Sequence, residues 1–345
     1  MIEDYSGTQM YAEAAQASDR VEQQSREIRP GVDELGRMFG ANRFHTVLTC
    51  ARGSSDHAAT YAKYLIETEL GIPVASFAPS IASVYHARQR LEGALFLAIS
   101  QSGESPDLLA AAEHAKKYGA SVAALVNNTS SPLADGADIV IPMGAGPELS
   151  VAATKSFICS LCAIARIVEA GANNTKLSAA LPGLPSALSK AWLCDWSEAI
   201  EPLASATNLF VISRGLGLSI ACEAALKLKE TCALHAEGYS AAEVKHGPMA
   251  IASDGFPVLA FAPSDKTGIG FDALIEEFSS RGVNCMVAGL NLANALHLPS
   301  VDAGAHQLTP IVQILSFYRF ANALSCRRGL NPDAPPFLKK ITETR

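Results

Sequence analysis

Along most of the chain, short apolar, β-branched runs alternate with longer stretches of helical periodicity, the pattern of parallel strands joined by crossover helices. In the first half the runs are HTVLTCA (45–51), VASFA (74–78), ALFLAIS (94–100), SVAALVN (121–127) and DIVIPM (138–143). Helices fill the intervals, among them 107–118 and 154–169, so a doubly wound unit of five strands is predicted. Residues 170–188 combine Gly, Asn and two prolines, the composition of a connection. The pattern then restarts with NLFVISRG (208–215), a helix through CEAALKLKETCALH, PVLAFAP (257–263), a helix near 271–281 and NCMVAGL (284–290).

The restart is an internal repeat. VLTCARGSSDHAATYAKYLIETEL and LFVISRGLGLSIACEAALKLKETCAL share an apolar strand, an Arg-Gly turn (Arg52-Gly53, Arg214-Gly215) and an Ala-rich helix ending in Glu-Thr (Glu67-Thr68, Glu230-Thr231). Further on, SIASVYH (80–86) matches SAAEVKH (240–246) at Ser, Ala, Val and His. Two copies of one α/β fold are therefore expected. The boundaries are a helical segment over 1–30, a first domain over 31–180, a second over 190–330 and a tail over 331–345 that covers the site.

Composition narrows the function. At 345 residues, 49% hydrophobic and 18% charged, the chain can supply each domain with a core. A net charge of −7 without long runs of one sign argues against nucleic acid and membrane surfaces as partners. The acidic start has no secretory pattern and no stretch is long enough to span a bilayer, so a cytoplasmic protein is expected. Eight scattered cysteines, several inside apolar runs, fit buried thiols better than disulfides, and the Cys159-x-x-Cys162 pair fits core packing better than a metal or redox site. No metal or cofactor motif is visible.

The candidate chemistry starts where the third run ends, in AISQSGESPD. A parallel strand delivers its C-terminal end to the crevice where open α/β sheets bind ligands, and the next helix presents unpaired N–H groups there. Ser100, Gln101, Ser102 and Ser105 add side-chain donors, Gly103 lets backbone approach closely, and Pro106 suits a first helical turn. Such a loop can cradle a phosphate monoester without a lysine; the alternative is a capping turn in which Ser105 or Asp107 merely starts the helix. Gly53, Ser54 and Ser55 close the first strand in the same way. Neither turn has the spacing of a dinucleotide or nucleoside-triphosphate loop.

SQSGES and ARGSS, together with GPELSVAATKSF (146–157), EAALKLKETCALHAEGY (223–239) and EVKHGPMA (243–250), resemble the sugar isomerase (SIS) family. Within it they resemble the isomerase half of glutamine:fructose-6-phosphate aminotransferase and the free-standing second type of glucosamine-6-phosphate deaminase. The resemblance implies two tandem, flavodoxin-like SIS domains, each a five-stranded parallel sheet flanked by helices. It implies that Gly53, Ser54, Ser55, Ser100, Gln101, Ser102 and Ser105 hold a sugar phosphate and that Val151 borders the sugar. It makes Glu230 and Lys227 catalytic, together with His246 reached from a second subunit of a homodimer and the tail lysine Lys340, which forms an imine with a ketose.

Each implied role has a chemical reason. Ring opening needs proton exchange near neutral pH, which suits an imidazole. Moving hydrogen between C1 and C2 needs one positioned base, and Lys227, three residues before Glu230, shares its helix face. On the residues alone, Lys227 and Glu230 could be a solvated salt bridge, His246 a capping or core histidine, and the Lys339-Lys340 pair a solvated tail. The sequence also departs from the family: Arg52-Gly53-Ser54-Ser55 stands for Cys-Gly-Thr-Ser, Ala153 for a serine, and Pro336 and Lys339 for an arginine and an alanine, so Lys339 competes with Lys340. No glutaminase segment precedes the isomerase region, so the expected reaction is glucosamine 6-phosphate plus water giving fructose 6-phosphate and ammonia. The alternatives are another aminosugar phosphate, handled by a galactosamine-6-phosphate deaminase or a fructosamine-6-phosphate deglycase, and a non-catalytic phosphosugar sensor. The apolar segment IVQILSFYRFANAL (311–324) is expected to pack a dimer, or else to complete the second domain.

Overall fold

The structure is a computed structural model and describes residues 5–340. The described residues form two compact units: Asp19–Glu148 with Lys155–Leu181 and residues 339–340, and residues 5–18 with Leu149–Thr154 and Pro182–Leu338.

The first unit holds a parallel sheet of β1 (Thr46–Cys50), β2 (Val74–Ser76), β3 (Ala94–Ser100), β4 (Ser121–Val126) and β5 (Ile139–Pro142), in the order β2-β1-β3-β4-β5. Every residue of β3 is buried, which is why it reads as an unbroken apolar run: a central parallel strand is covered on both faces. The helices α1 (Ser54–Glu69), α2 (Pro106–Lys117) and α3 (Lys155–Gly171) follow β1, β3 and β5. Phe77 and Phe96 meet edge to face at 5.3 Å in one side of the core. Cys159 and Cys162 lie fully buried on α3, where burial pushes the Cys162 thiol up to about 12, so this pair packs and does not react. All eight cysteines are free thiols.

The second unit repeats the winding with β6 (Asn208–Ser213), β7 (His235–Ser240), β8 (Pro257–Phe261), β9 (Asn284–Ala288) and β10 (Leu296–Leu298), ordered β10-β9-β8-β6-β7. Counted from its own first strand this is the same 2-1-3-4-5 order, the flavodoxin-like form of the doubly wound sheet. Helix α4 (Leu218–Cys232) follows β6, and α5 (Thr309–Arg327) closes the unit.

Three expectations need amendment. Residues 170–188 are not an open connection: Asn174 caps a helix over Thr175–Ala180 by accepting from the Leu177 amide at 2.9 Å, and a second helix, Leu184–Trp192, has Pro185 in its first turn. Prolines there start helices. Strands β7 and β10 lie outside the three runs recognised in the second repeat. Helix α5 buries nearly all its apolar residues within its own unit, and its Ser316 hydroxyl donates to the Ala191 carbonyl at 2.8 Å. Its apolar length is thus explained by completion of the second domain. Among the described residues no helix is long and apolar enough to cross a membrane.

Candidate active site

Strands β1 and β3 are neighbours in register, with Cys50 opposite Ala98, so the turns that follow them open on the same edge of the first sheet. Gly53 takes φ +55° as the N-cap of α1, and Ser54 and Ser55 are that helix's first two residues. The loop after β3 is held from inside: the Ser100 hydroxyl accepts from the Gly103 amide at 3.0 Å, and Ser102 accepts from the Glu104 amide at 3.3 Å. The Gln101 carbonyl accepts from the Asn127 amide at 3.3 Å, which fixes the loop to the end of β4. Gly103 sits at φ +70°, and a Cβ there would lie 2.1 Å from the Ser131 hydroxyl oxygen, so only glycine fits.

Ser105 occupies the N-cap position of α2 but makes no capping bond with its side chain. Among the described residues the hydroxyls of Ser54, Ser55 and Ser105 have no hydrogen-bond partner, which a pure capping turn would have supplied. The two helix N-termini and these hydroxyls offer free donors of the kind that suit an anion. The thiol of Cys50 behind them is pushed up to about 12 by burial, against the pull of Arg52, so no thiolate nucleophile is available here.

In the second unit α4 carries a charged cluster through an otherwise apolar helix. Lys227 is 1% exposed, ion-pairs with Glu230, which is 20% exposed, and lies 3.5 Å from the fully buried Glu223. The Tyr318 hydroxyl donates to Glu223 at 3.0 Å from α5. A solvated surface bridge is therefore excluded for this pair. Burying a lysine and a carboxylate costs more than an apolar core would, unless the groups have another use. Glu230 also lines a largely apolar cavity of about 470 Å³, walled by Leu226, Ala233, Leu330 and Pro335 to Leu338.

The remaining expected residues lie as follows. His246 is exposed at the end of the short 3-10 helix Glu243–His246 that follows β7, beside the 2.7 Å Lys245–Glu277 ion pair. The Val151 amide donates to the Asp333 carbonyl at 3.3 Å, which ties this stretch to the tail segment of its own unit. Lys340 lies 3.2 Å from the buried carboxylate of Glu148, which also accepts from the Ser156 amide at 3.0 Å and hydroxyl at 2.6 Å. Lys339 is exposed.

Sequence reasoning passed over Glu223, Glu148 and Tyr318, and gave Asp107 only a part in starting its helix. Glu223 had a signal, since it stands four residues before Lys227 on one helix face. The others reach their partners across long separations. Among the described residues no group of three or more His, Cys, Asp or Glu side chains is placed to hold a metal.

The sequence profile of the SIS domain matches residues 43–170 and 202–294. The chain belongs to the SIS family. SIS chains similar to this one include the isomerising glutamine–fructose-6-phosphate aminotransferase of Zymomonas mobilis, 34% identical over 326 residues, 88% of this chain and 52% of that protein. The enzyme of the same name from Thermococcus kodakarensis is 35% identical over 321 residues, 86% of this chain and 52% of that protein. The chain thus spans about half the length of these relatives. Among solved structures, a Silicibacter pomeroyi protein provisionally described as a phosphosugar isomerase matches with TM-score 0.90 and 41% identity, over 94% of this chain and all of that one. The C-terminal domain of a Francisella tularensis glucosamine-fructose-6-phosphate aminotransferase matches with TM-score 0.86 and 25% identity, over 97% and 100%. The chain is a phosphosugar-isomerase-type SIS protein with both halves of the repeat.

Proposed function

We propose that this SIS protein is an isomerising deaminase that converts glucosamine 6-phosphate and water into fructose 6-phosphate and ammonia. The observation that carries the reading is the Glu223–Lys227–Glu230 cluster, in which Glu223 and Lys227 are buried while Glu230 lines a cavity, a placement that suits proton transfer. Ser54, Ser55, Ser100, Gln101, Ser102 and Ser105, with the amide of Gly53, take the phosphate, and Val151 borders the sugar. His246, supplied by a second copy in a homodimer, opens the ring by proton exchange. Glu230 takes the proton from C2 and returns it to C1, so the aldose becomes the ketose imine; Lys227 pairs with the carboxylate and keeps it aligned. Water, or first the Lys340 amine and then water, adds at C2 and ammonia leaves, which balances the reaction. Glu148 holds Lys340 in place between turnovers.

A second reading, another aminosugar phosphate, rests on Ala153 and on the tail residues Pro336 and Lys339. Ammonia release by the purified protein from glucosamine 6-phosphate, galactosamine 6-phosphate and a fructosamine 6-phosphate adduct, compared by kcat/KM, tests both. The highest value for glucosamine 6-phosphate is expected; no release from any of the three would reject the deaminase.

A further inference from the structure

Two acidic residues stand in the first helical turns that frame the proposed phosphate cradle, Asp56 on α1 and Asp107 on α2, and Glu104 lies in the loop between β3 and α2. A dianion arriving there meets carboxylates, which opposes the helix dipoles. Burial pushes the Asp56 carboxyl up, against the pull of His57 and Arg52, so that its charge is already disfavoured. Asp107 is different. It is 3% exposed, one oxygen, Oδ1, is buried without a hydrogen-bond partner, and the other accepts from Arg52 Nε at 2.9 Å and Nη2 at 2.7 Å.

Arg52 is the residue immediately before Gly53, so this fork joins the turn after β1 to the start of α2, across 55 positions of sequence. The Arg52 side chain is 53% exposed, and its Nη1 edge has no partner among the described residues. A guanidinium is a planar donor set suited to holding a carboxylate with one edge and presenting charge with the other.

We propose that Arg52 is a positioning and phosphate-affinity residue: held by Asp107, it cancels that buried charge, sets the Gly53–Ser55 turn against the Ser100–Ser105 loop and presents its free edge to the phosphate. The inference rests on the reading that these loops bind the sugar phosphate. No side chain in either loop except Arg52 carries a fixed positive charge, so the cradle's preference for a dianion depends on it.

The test is calorimetric titration of the full-length protein with fructose 6-phosphate, which needs no turnover, alongside KM and kcat for ammonia release. Arg52→Gln is expected to raise the dissociation constant about ten-fold, with the larger kinetic change in KM, and Arg52→Lys to raise it about three-fold because the fork is lost and the charge kept. Asp107→Asn, which loses the hold on the guanidinium but also removes a carboxylate, should stay within about three-fold of native, and Arg52→Gln/Asp107→Asn should recover part of the single variant's loss without reaching native binding, because the uncompensated carboxylate is gone but so is the free guanidinium edge. Native-like binding by Arg52→Gln overturns the proposal, as does a double variant no better than the single one. If Arg52→Gln does not fold, a ten-fold loss in Asp107→Asn overturns it instead. Ser102→Ala separates the two levels: a weakened Ser102→Ala beside an unaffected Arg52→Gln rejects the role of Arg52 alone, while no effect in either rejects the phosphate cradle and this inference with it.

Discussion

Helices α1 and α4 hold equivalent places after the first strands of the two sheets, and both end in Glu-Thr. At that glutamate they part. Glu67 on α1 accepts from the Val74 amide at 3.0 Å and so ties its helix to the edge strand β2. Glu230 on α4 pairs with buried Lys227 and faces a cavity. Three residues before Glu67 stands Tyr64 and seven before it Thr60, where α4 has Lys227 and Glu223. The strand-end loops differ in the opposite sense. The first sheet's loop is rich in hydroxyls, whereas in the second Asp265 accepts from the amide and hydroxyl of Thr267, and the crevice lined by Arg214, Asp265 and His306 leaves only about 10 Å³. That is room for one water at most. One fold, used twice, has kept its winding and divided its polar side chains: unpartnered hydroxyls at strand-end turns in one copy, a charged cluster on a helix in the other.

The sharpest way to break this comparison is to neutralise both glutamates. Glu230→Gln is expected to lower kcat for ammonia release by about 10³-fold with fructose 6-phosphate affinity within a few-fold of native, since one positioned base contributes on that order. A sensor would show no turnover to lose. Glu67→Gln removes one charge-assisted bond to a backbone amide, worth about 1 kcal/mol in thermal unfolding, and leaves turnover at the native rate. Equal losses of kcat in the two variants would dissolve the distinction between the helices.

Next in size is the lysine that separates them. Lys227→Met leaves Glu223 buried without its cation, and about 3–5 kcal/mol of stability should be lost, read as a fall in the denaturation midpoint. Adding Glu223→Gln should recover most of that stability, because a neutral amide can still accept from the Tyr318 hydroxyl. Activity should not return with it. Recovery of both would make Lys227 a structural cation only.

The strands and the hydroxyl-rich loop after β3 were legible because they obey local rules. β3 is an unbroken apolar run flanked by turn chemistry, and the sequence run coincides with the strand, Ala94–Ser100. β7, HAEGYS, was not legible: it is an edge strand with one buried residue in six, so it shows no periodicity. β10 has three residues, too few to carry a pattern. Among site residues, the hydroxyl loops and the Lys227–Glu230 spacing are local and could be read. The Arg52–Asp107 fork, the Tyr318–Glu223 bond and the Lys340–Glu148 contact join positions 55, 95 and 192 residues apart, and only the folded chain brings them together. The resemblance supplied roles for Lys340 and His246 that neither composition nor spacing contains.

A smaller effect is expected from the first copy's loop. Gly103→Ala forces a side chain into φ +70° with its Cβ 2.1 Å from the Ser131 oxygen, which should cost about 1–3 kcal/mol and displace the Ser102 hydroxyl. If the loop is the phosphate cradle, fructose 6-phosphate binding weakens by more than the stability loss alone explains, measured below the unfolding transition. Unaltered affinity in a destabilised variant would leave the loop a scaffold like its counterpart at Asp265.

The smallest expected effect concerns the far edges of the two sheets. Just before β5, the Asp138 carboxylate accepts from the Val122 amide at 2.8 Å and pairs with Lys116 at 2.7 Å, whereas the residue before β10 is Ala295. Burial pushes the Asp138 carboxyl up, but the bonds from Lys116 and Val122 outweigh it and hold the group below the ordinary aspartate range. A carboxyl depressed in the folded state stabilises fully above its unfolded value, about 3.9, and the contribution disappears as pH falls through the folded value. Both side chains are more than 40% exposed, 49% for Lys116 and 41% for Asp138, so screening keeps the gain at about 1 kcal/mol or less. Asp138→Asn should therefore melt slightly below the native protein at pH 6, and the gap should close toward pH 3. Added salt should narrow the gap at pH 6 as well, since the pair is solvent-facing. Because the second sheet's edge has no such latch, acid should loosen β5 before β10, and hydrogen exchange at the Val122 amide compared with Met286 on β9 reads that order directly. Simultaneous loosening of both edges on acidification would mean that the latch contributes nothing to the difference between the copies.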